Sequence, residues 1–595
     1  MNCYIPDYPR PQFVRKSWEN LNGAWRFAFD DQDRGISLGW ERGLTEGLTI
    51  QVPFTYETKR SGIGDETVHD RVWYSRSITL TREQMDSGHI LIHFEGCDYH
   101  TILWVNGIRV GSHTGGYARF SFDITKAARE GENILSVQVT DSLDPQQPRG
   151  KQRWLRDSFG CWYVQTTGIW KTVWLETLPD AYIQNVKITP DVQDAAVEMA
   201  FEVSDRSYAD CRLEIQVSFD GQTVSQASVQ VPQRRVKTKL NLLRMDTSQW
   251  GLHLWSPETP ELYDVQFRVY CGGELEDTVG SYFGMRDIRV DGAAILLNGA
   301  PLYQRLILDQ GYWPDSHLTP PSEAALVEDI EKIQQLGYNG LRRHQKVEDE
   351  RFLYWCDVKG LLVWSEMAST YDFGDDAVEA FLTQWTQVLR QNYNHPCIIT
   401  WTPVNESWGV SRVKVDAAQQ NLTQAVYHLT KSIDPYRPVI VNDGWEHTVS
   451  DILTLHDYEE DGQVFAERYQ NHLSAILEGA LPHNLSRTAF AKGFSYRGQP
   501  IIISEYGGIA YEKDEKDWGY GRKVATQEEF LKRFDAITSA IKALPYCCGF
   551  CYTQVTDVQH EMNGLMDMER NFKVDPRAIR EINLREGSCL HRQGR

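Results

Sequence analysis

The chain has no run of clustered lysine and arginine, although its 595 residues include 61 Lys and Arg against 82 Asp and Glu. Its formal net charge is -21, so nucleic acid is not an expected partner, because phosphate contacts need clustered positive charge. No apolar stretch is long enough to span a bilayer, and the N-terminus lacks a basic segment followed by an apolar core. These absences predict a soluble, cytoplasmic protein that does not bind membranes.

Cysteine is sparse and irregularly spaced. The 11 cysteines have no repeated spacing, and only Cys547, Cys548 and Cys551 are clustered. This cluster lacks the second pair that a structural zinc site needs, and its surroundings are typical of a buried strand. The sequence therefore predicts reduced thiols, no bound metal and no cofactor.

Short strands dominate the N-terminal half of the chain. Residues 89–94 and 101–105 are predicted strands, and Asn106-Gly107 after the second is a hairpin turn signal. A second β segment begins near Pro179, and its residues 213–219 alternate apolar and polar side chains. Strands and turns without a helical stretch over about a hundred residues predict a β-sandwich.

The C-terminal half alternates helices and strands. Ser322 can cap a helix whose apolar residues follow the helical period, and Gly337 ends it. A strand ending at Arg342, another helix and the strand 361–364 follow. This alternation indicates parallel α/β architecture, and the remaining length suffices for a (β/α)₈ barrel. We therefore predict three domains, at residues 1–178, 179–286 and 287–595.

Two glutamates in the predicted barrel each end a short β-branched run beside aromatic and glycine residues. Asn405-Glu406 lies within residues 401–409, and Glu505 lies within residues 501–508. A barrel strand that carries a catalytic acid at its C-terminal end has this pattern. Cleavage of a glycosidic bond needs two such acids, one to protonate the leaving oxygen and one to stabilise or attack the anomeric carbon.

Further motifs accompany these glutamates over nearly the whole chain. They are Tyr8-Pro-Arg-Pro-Gln12 with Leu21-Asn-Gly-Ala-Trp25, residues 107–123, Thr167-Gly-Ile-Trp-Lys-Thr-Val-Trp174, Trp255-Ser-Pro-Glu-Thr-Pro-Glu-Leu-Tyr263, and Asn392-Tyr-Asn-His-Pro396 ahead of Asn405-Glu406. Together they resemble family 2 of the glycoside hydrolases, the group of β-galactosidases, β-glucuronidases and β-mannosidases. The resemblance implies a jelly-roll sugar-binding domain, an immunoglobulin-like β-sandwich and a catalytic TIM barrel.

The resemblance also implies roles for individual residues in a retaining double displacement. Glu406 matches the general acid/base, Glu505 the nucleophile, and Asn405 the partner of the sugar's 2-hydroxyl. Tyr458 matches the tyrosine that orients the nucleophile, and Arg342 is expected to stabilise Glu505. The remaining predicted substrate-binding residues at the mouth of the barrel are His344, His456, Glu366, Trp364, Trp162 and Tyr552, the last in a stacking position.

Several of these residues have a structural alternative. Arg342 could form an ion pair at the mouth without a catalytic task. His344, His456 and Trp364 could be packed or solvated residues of the rim.

Three departures from the family pattern leave the identity of the removed sugar undetermined. Trp162 stands where relatives place an acid that reaches into the site, with Asp157 as an alternative acid. The Asn-x-Lys pair that binds a uronate in β-glucuronidases is replaced by residues 561–563, Glu-Met-Asn, and Asn571-Phe-Lys573 is interpreted as a chance match. Arg343-His344 stands where relatives place Ser-His.

The predicted function is an exo-acting retaining glycosidase that removes a terminal sugar, with a β-galactoside as the first choice. The alternatives are a β-glucuronidase or galacturonidase and a β-galactofuranosidase or α-L-arabinofuranosidase. An alternative of another class is a non-catalytic carbohydrate-binding protein, but such a protein should have lost one of the two acids or Asn405, and all three are present. A metal site formed by His344, His395 and His456 is a weaker hypothesis. A supporting magnesium ion and a homo-oligomer stay open by analogy with relatives.

Overall fold

Two antiparallel β domains and a parallel barrel follow one another along the chain. A computed structural model describes residues 4–204, 210–243, 251–511 and 518–589. No helix within these ranges is long and apolar enough to cross a membrane. The predicted fold class, a jelly roll, an immunoglobulin-like sandwich and a TIM barrel, is confirmed.

The first domain packs a six-stranded sheet and a four-stranded sheet around one apolar core. The predicted turn is present, since Asn106 and Gly107 have φ of 54° and 79° between two paired strands. The strands are Trp18–Asn20, Gly23–Phe29, Leu48–Val52, Arg71–Leu80, His89–Phe94, Cys97–Asp98, His100–Val105, Ile108–Thr114, Phe120–Asp123, Gly131–Thr140, Gly168–Ile169 and Val173–Leu178, with short helices at Trp40–Arg42, Lys59–Ser61 and Arg82–Met85. The long connection between Thr140 and Gly168 extends to the barrel mouth.

The second domain is a sandwich of a three-stranded and a four-stranded sheet. Its strands are Ile183–Asp191, Ala196–Val203, Cys211–Phe219, Gln222–Gln230, Arg235–Asn241, Tyr263–Cys271 and Glu274–Phe283. Cys211 and Cys271 lie opposite each other on paired strands and form a disulfide. The prediction of reduced thiols is therefore wrong for these two residues, whereas Cys547, Cys548 and Cys551 lie buried in a strand as predicted.

Within the described residues, eight parallel strands form the barrel of the third domain. They are Gln304–Asp309, Gly340–Arg343, Leu362–Glu366, Ile398–Thr402 continuing as Val404–Asn405, Asn442–Asp443, Leu453–His456, Ile501–Gly507 and Cys547–Thr553. The His456 N–H donates to the Gly444 carbonyl at 3.3 Å and so links the sixth strand to the end of the fifth. A small antiparallel sheet, Ile288–Asp291, Ala294–Leu297 and Ala300–Pro301, precedes the barrel, and the pair Ile509–Tyr511 and Tyr520–Val524 follows the seventh strand.

Amphipathic helices cover the outside of the barrel. Ser322 accepts a hydrogen bond from the Ala325 N–H at 3.2 Å and starts the first helix, whose Ile330 faces the core. Gly337, at φ 87°, follows its end. The helices are Glu323–Gln335, Glu350–Lys359, Asp375–Asn392, Ala417–Ile433, Gly462–Asn471, Leu473–Leu477, Gln527–Lys542 and Pro576–Leu584. The fifth and sixth strands are joined by the described residues 444–452, which contain no helix.

Candidate active site

Arg342 is the centre of the barrel mouth, where the ends of several strands meet. It is fully buried and donates from Nε to Glu366 at 2.6 Å and from Nη2 to the Asn405 amide oxygen at 2.6 Å. Its Nη1 contacts Asp443 at 2.6 Å and Glu505 at 2.7 Å. Burial opposes the charge, but the surrounding carboxylates outweigh it and raise the pKa of Arg342. The guanidinium therefore fixes four side chains from four other strands.

The two predicted catalytic carboxylates face each other across this mouth. One oxygen of Glu406 and one of Glu505 lie within 4.8 Å of each other and of a nitrogen of His456. The Tyr458 hydroxyl donates to the second oxygen of Glu505. Carboxyl groups about 5–5.5 Å apart are typical of retaining enzymes, whereas inverting enzymes need about 6.5–9.5 Å to admit a water. The geometry therefore favours retention.

His456 lies between carboxylates rather than on the surface of the mouth. Its Nδ1 is 2.8 Å from Glu406 Oε1, and its Nε2 is 3.1 Å from Asp443 Oδ2. Burial opposes a charge on the ring, but the charges of Glu505 and Asp443 outweigh it and raise the pKa of His456 to about 10. His456 is therefore an imidazolium at neutral pH and donates to both partners. The contact that the structure shows for His456 is to Glu406, and its contact with a sugar stays a prediction.

Asp443 belongs to the same cluster, and the sequence analysis did not select it. Burial opposes its charge, but Arg342 and His456 outweigh burial and lower the pKa of Asp443. Its second oxygen accepts a hydrogen bond from Ser504 at 2.8 Å. A weak signal was present in the sequence. The apolar run 438–441 is followed by Asn442-Asp443 and a glycine, and the runs before Glu406 and Glu505 are likewise followed by a carboxylate and then, within three residues, by a glycine.

The backbone at Glu406 adopts a left-handed conformation. Glu406 has φ 51° and Ser407 has φ 61°, which non-glycine residues rarely adopt and which costs roughly 1–3 kcal/mol at each position. The Glu406 N–H donates to the Asp443 carbonyl at 2.9 Å, and the Ser407 N–H donates to the Asn442 side chain at 2.8 Å. The fifth strand and the residues that follow it thus hold Glu406 in a strained backbone conformation.

His344 and Glu366 belong to the same buried cluster. His344 Nδ1 lies 3.1 Å from Glu366 Oε1 and 3.2 Å from Arg342 Nη2. Burial and the charges of Lys151 and Arg342 lower the pKa of His344 well below its ordinary value, so its ring is neutral. Burial raises the pKa of Glu366, and the charge of Arg342 opposes that effect. Both residues lie at the mouth, where the sequence placed them.

Two predicted aromatic contacts are wrong. Trp364 is fully buried and its indole N–H donates at 2.8 Å to Gln304, the first residue of the first strand, at the opposite end of the barrel. The Tyr552 ring packs 5.5 Å from that of Tyr506 and 5.0 Å from that of Phe534 on an outer helix. Successive side chains of a strand alternate between its faces, and Tyr552 occupies the outward one.

The connection from the jelly roll places Trp162 in a cluster of aromatic rings close to Glu406, here termed the aromatic wall. The Trp162 ring lies 5.0 Å from that of Trp408, two residues after Glu406, and 5.5 Å from that of Tyr371. Asp157 is exposed. Trp162 thus contacts the loop that carries the acid/base.

Glu561 is buried close to this wall. Its Oε2 accepts from the Tyr163 hydroxyl and from Gln310 at 3.1 Å, and its Oε1 accepts from Asn563 at 3.1 Å. Three donors therefore fix the position of the Glu561 side chain. Lys573, the lysine of the Asn-x-Lys match at residues 571–573, donates instead to Asp557, at 2.8 Å.

Lys151 is a buried cation that the sequence analysis did not select. Its Nζ donates to the Cys161 sulfur at 3.2 Å and lies 5.6 Å from the centre of the Trp162 ring. Burial opposes its charge, but the electrostatic effects of Cys161 and other neighbours, Glu561 among them, raise the pKa of Lys151. The jelly roll therefore brings a positive charge close to Glu561.

The three histidines of the metal hypothesis do not come together. His395 precedes the fourth strand and lies 2.6 Å from Asp357, in a buried group with Cys397. His456 contacts the catalytic carboxylates. Among the described residues, no group of metal-ligating side chains contains two of these histidines.

A cavity of about 610 Å³ opens beside Glu406. Its lining combines aromatic side chains with charged residues of the loops after the fourth and sixth strands. The lining residues are Glu406, Ser407, Trp408, Ser411, Trp445, Asp457, Tyr458, Glu459, Glu460, Arg468, His483, Asn484, Leu485, Arg487 and Tyr520. Glu406 therefore faces a space large enough for part of a glycoside.

Three family models match successive parts of the chain. Residues 18–179 match the model for the sugar-binding domain of glycosyl hydrolases family 2, residues 181–286 match the model described as glycosyl hydrolases family 2, and residues 288–582 match the TIM barrel domain of that family. The chain belongs to glycosyl hydrolases family 2. It is therefore an O-glycosyl hydrolase by class, as the sequence predicted.

Individual relatives are distant. A putative β-glucuronidase of Formosa agariphila is 26% identical over 455 residues, which are 74% of this chain and 52% of the relative, so the chain spans about half of that protein. The β-glucuronidase of Canis lupus familiaris is 25% identical over 559 residues, covering 84% of this chain and 79% of the relative. A solved β-glucuronidase from an uncultured Clostridium species has a TM-score of 0.76 at 19% identity and covers 96% of this chain and 98% of its own. At this identity the structural similarity supports the fold alone.

Proposed function

We propose that the protein is an exo-acting retaining glycosidase that removes a terminal sugar, with Glu406 as the acid/base and Glu505 as the nucleophile. The observation that carries the proposal is the pair of carboxylates within 4.8 Å, one on the cavity and one bound by Arg342 and Tyr458. This arrangement gives the two acids different tasks.

The geometry supports a specific first step. Arg342 and Tyr458 each occupy one oxygen of Glu505 and orient it toward the anomeric carbon. Glu505 forms the bond to this carbon while the carbon–oxygen bond to the leaving group breaks. Glu406 gives its proton to the leaving oxygen, and because His456 donates to Oε1, the proton belongs on Oε2.

The second step reverses these roles. Glu406, now a carboxylate, takes a proton from water, which attacks the anomeric carbon and releases Glu505. Asn405 assists in both steps. Since its Oδ1 accepts from Arg342 at 2.6 Å, its Nδ2 group is left to donate to the sugar's 2-hydroxyl.

For the sugar we propose a neutral pyranoside, with a β-galactoside as the first choice. The supporting observation is Glu561, a carboxylate held by three donors at the position where β-glucuronidases carry the uronate-binding lysine motif. A second carboxylate on the substrate would be repelled there.

A β-glucuronide is the second candidate, for two reasons. The relatives described above are named β-glucuronidases. Lys151 also places a cation from another domain near Glu561, and an ammonium is a suitable partner for a uronate. Furanosides stay a third candidate because His344 follows Arg343 where relatives place Ser-His.

A panel of nitrophenyl glycosides tests the proposal. It contains the β-galactopyranoside, β-glucuronide, β-mannoside, β-galactofuranoside and α-L-arabinofuranoside. We expect one strong signal with wild type, loss of that signal in Glu505→Gln, and no loss in Glu467→Gln, a matched change at an exposed helix position. A glucuronide signal would refute the neutral-sugar proposal, and a signal that survives in Glu505→Gln would refute the nucleophile.

We also propose a cytoplasmic location and self-association. Because disulfides are rare in the reducing cytoplasm, the oxidation state of the pair Cys211 and Cys271 in the cell tests the proposed location. Fractionation of producing cells, with thiol titration of the purified protein, tests the location. Sedimentation velocity at several concentrations tests the assembly.

A further inference from the structure

Leu485 stands out at the rim of the active-site cavity. Its side chain is 96% exposed, and its backbone has φ 48°, a left-handed conformation that leucine rarely adopts. Exposure gives a leucine no stabilisation by burial, and the backbone strain adds a cost. The fold therefore holds an apolar side chain in solvent, at the rim of the cavity that Glu406 lines, at a cost in stability.

The loop that carries Leu485 is firmly anchored to the site. His483 Nε2 donates to the Gly444 carbonyl at 3.1 Å, and Asn484 Nδ2 donates to the His456 carbonyl at 3.2 Å. Arg487 contacts Glu446 at 3.1 Å. Since both sides of the turn are bound to the fifth and sixth strands, Leu485 has a defined position relative to Glu406.

The cavity between Leu485 and Glu406 has flat aromatic walls. Trp408 and Trp445 line it, and Tyr520 also lines it with its ring stacked 3.5 Å from that of Tyr458. Aromatic faces of this kind favour contact with another flat, apolar group.

The charged side chains of the cavity offer no cation to an anionic ligand. Arg468 pairs with Asp457 and with Glu459, the latter at 3.1 Å, and Arg487 pairs with a glutamate outside the lining. Burial lowers the pKa of His483 to about 3, so its ring is neutral. The other carboxylates of the lining are paired as well, Glu406 with His456 at 2.8 Å and Glu460 with Arg522 at 2.8 Å, so the lining presents no unpaired charge to a charged group.

We propose that this space is the aglycone subsite and that it selects flat, uncharged, apolar aglycones, with Leu485 as the outer contact. The proposal rests on the proposed function, because the leaving group must lie on the side of the acid that protonates it. Glu406 lines this cavity, whereas Glu505 does not. An aglycone that enters here would lie between the tyrosine and tryptophan rings and cover Leu485.

Substitution of Leu485→Ser tests the proposal with two glycosides of the sugar that the nitrophenyl panel selects. One is the 2-naphthyl glycoside and the other the methyl glycoside. We expect KM for the naphthyl glycoside to rise about 5- to 30-fold, because a leucine contact is lost, with kcat little changed. KM for the methyl glycoside should change less than twofold, since a methyl group does not reach the rim.

Leu275→Ser is the matched control, since Leu275 is also exposed but lies in the second domain. A naphthyl glycoside with a carboxylate on the ring should bind wild type more weakly than the uncharged compound. An equal effect of Leu485→Ser on both glycosides, no effect on either, or a preference for the carboxylated ring would overturn the aglycone proposal alone. If wild type hydrolyses no glycoside at all, the proposed function is refuted and this inference with it.

Discussion

Replacement of Asp443 by asparagine tests the charge cluster on which the catalytic geometry depends. Asp443 accepts from Arg342 at 2.6 Å and from His456 at 3.1 Å, and all three side chains are fully buried. Removal of one partner from a buried ion pair costs about 3–5 kcal/mol. If most of this cost appears as misplacement of Glu406 and Glu505, kcat falls about 100- to 1000-fold, since each 1.36 kcal/mol is a factor of ten.

The pH dependence should change as well. Asp443 is one of the carboxylates that raise the pKa of His456 to about 10. His456 is charged below its pKa and neutral above it, so a lower pKa in the variant makes the ring lose its proton earlier as pH rises. We therefore expect activity of Asp443→Asn to decline at a lower alkaline pH than that of wild type.

The assay is kcat and KM across pH on the best nitrophenyl glycoside, with thermal unfolding to verify the fold. Asp451→Asn is the matched control. Asp451 lies in the connection between the fifth and sixth strands, but it pairs with Lys431 at 2.9 Å outside the site. A kcat within threefold of wild type, together with an unchanged alkaline pH at which activity declines, would refute the reasoning about Asp443.

Two further predictions concern single carboxylates. Glu406→Gln should slow substrates with poor leaving groups far more than substrates with acidic phenols, and an equal loss on both would contradict its role as general acid. Burial raises the pKa of Glu57 from 4.5 to about 8, so the native state keeps a proton that the unfolded state releases. Stability should therefore fall by about 3–5 kcal/mol between roughly pH 4.5 and 8, and unfolding of Glu57→Gln across this range should lack that fall.

The catalytic glutamates could be predicted because their signal is local. Glu406 and Glu505 each end an apolar run, and parallel strands in one barrel bring all such ends to one mouth. The same argument reaches Arg342, whose strand precedes a helix with a clear amphipathic pattern. Family resemblance then supplied the roles, and the distances agree with a retaining pair.

Orientation within the strands could not be predicted. The seventh and eighth strands pair with register shifts between Ile501 and Ile503 and again before Tyr506. Such irregularities hide from the sequence which residues of a strand face the mouth, and the ordinary alternation of faces then turns Tyr552 outward while Thr553 lies 3.3 Å from Tyr458. The partnership of Cys211 and Cys271 was equally hidden, because only the pairing of two strands places residues 60 apart opposite each other.

Asp443 shows why a site is harder to predict than its acids. Its run is short and lacks a following helix, so it carries little of the pattern that marks the two glutamates. Its importance comes from contacts with Arg342 and His456, which other strands contribute. Buried ionic groups of this kind are seldom the most stable way to fill a barrel. Their concentration around Glu505 is therefore better explained by the need to orient one nucleophile and one acid than by stability.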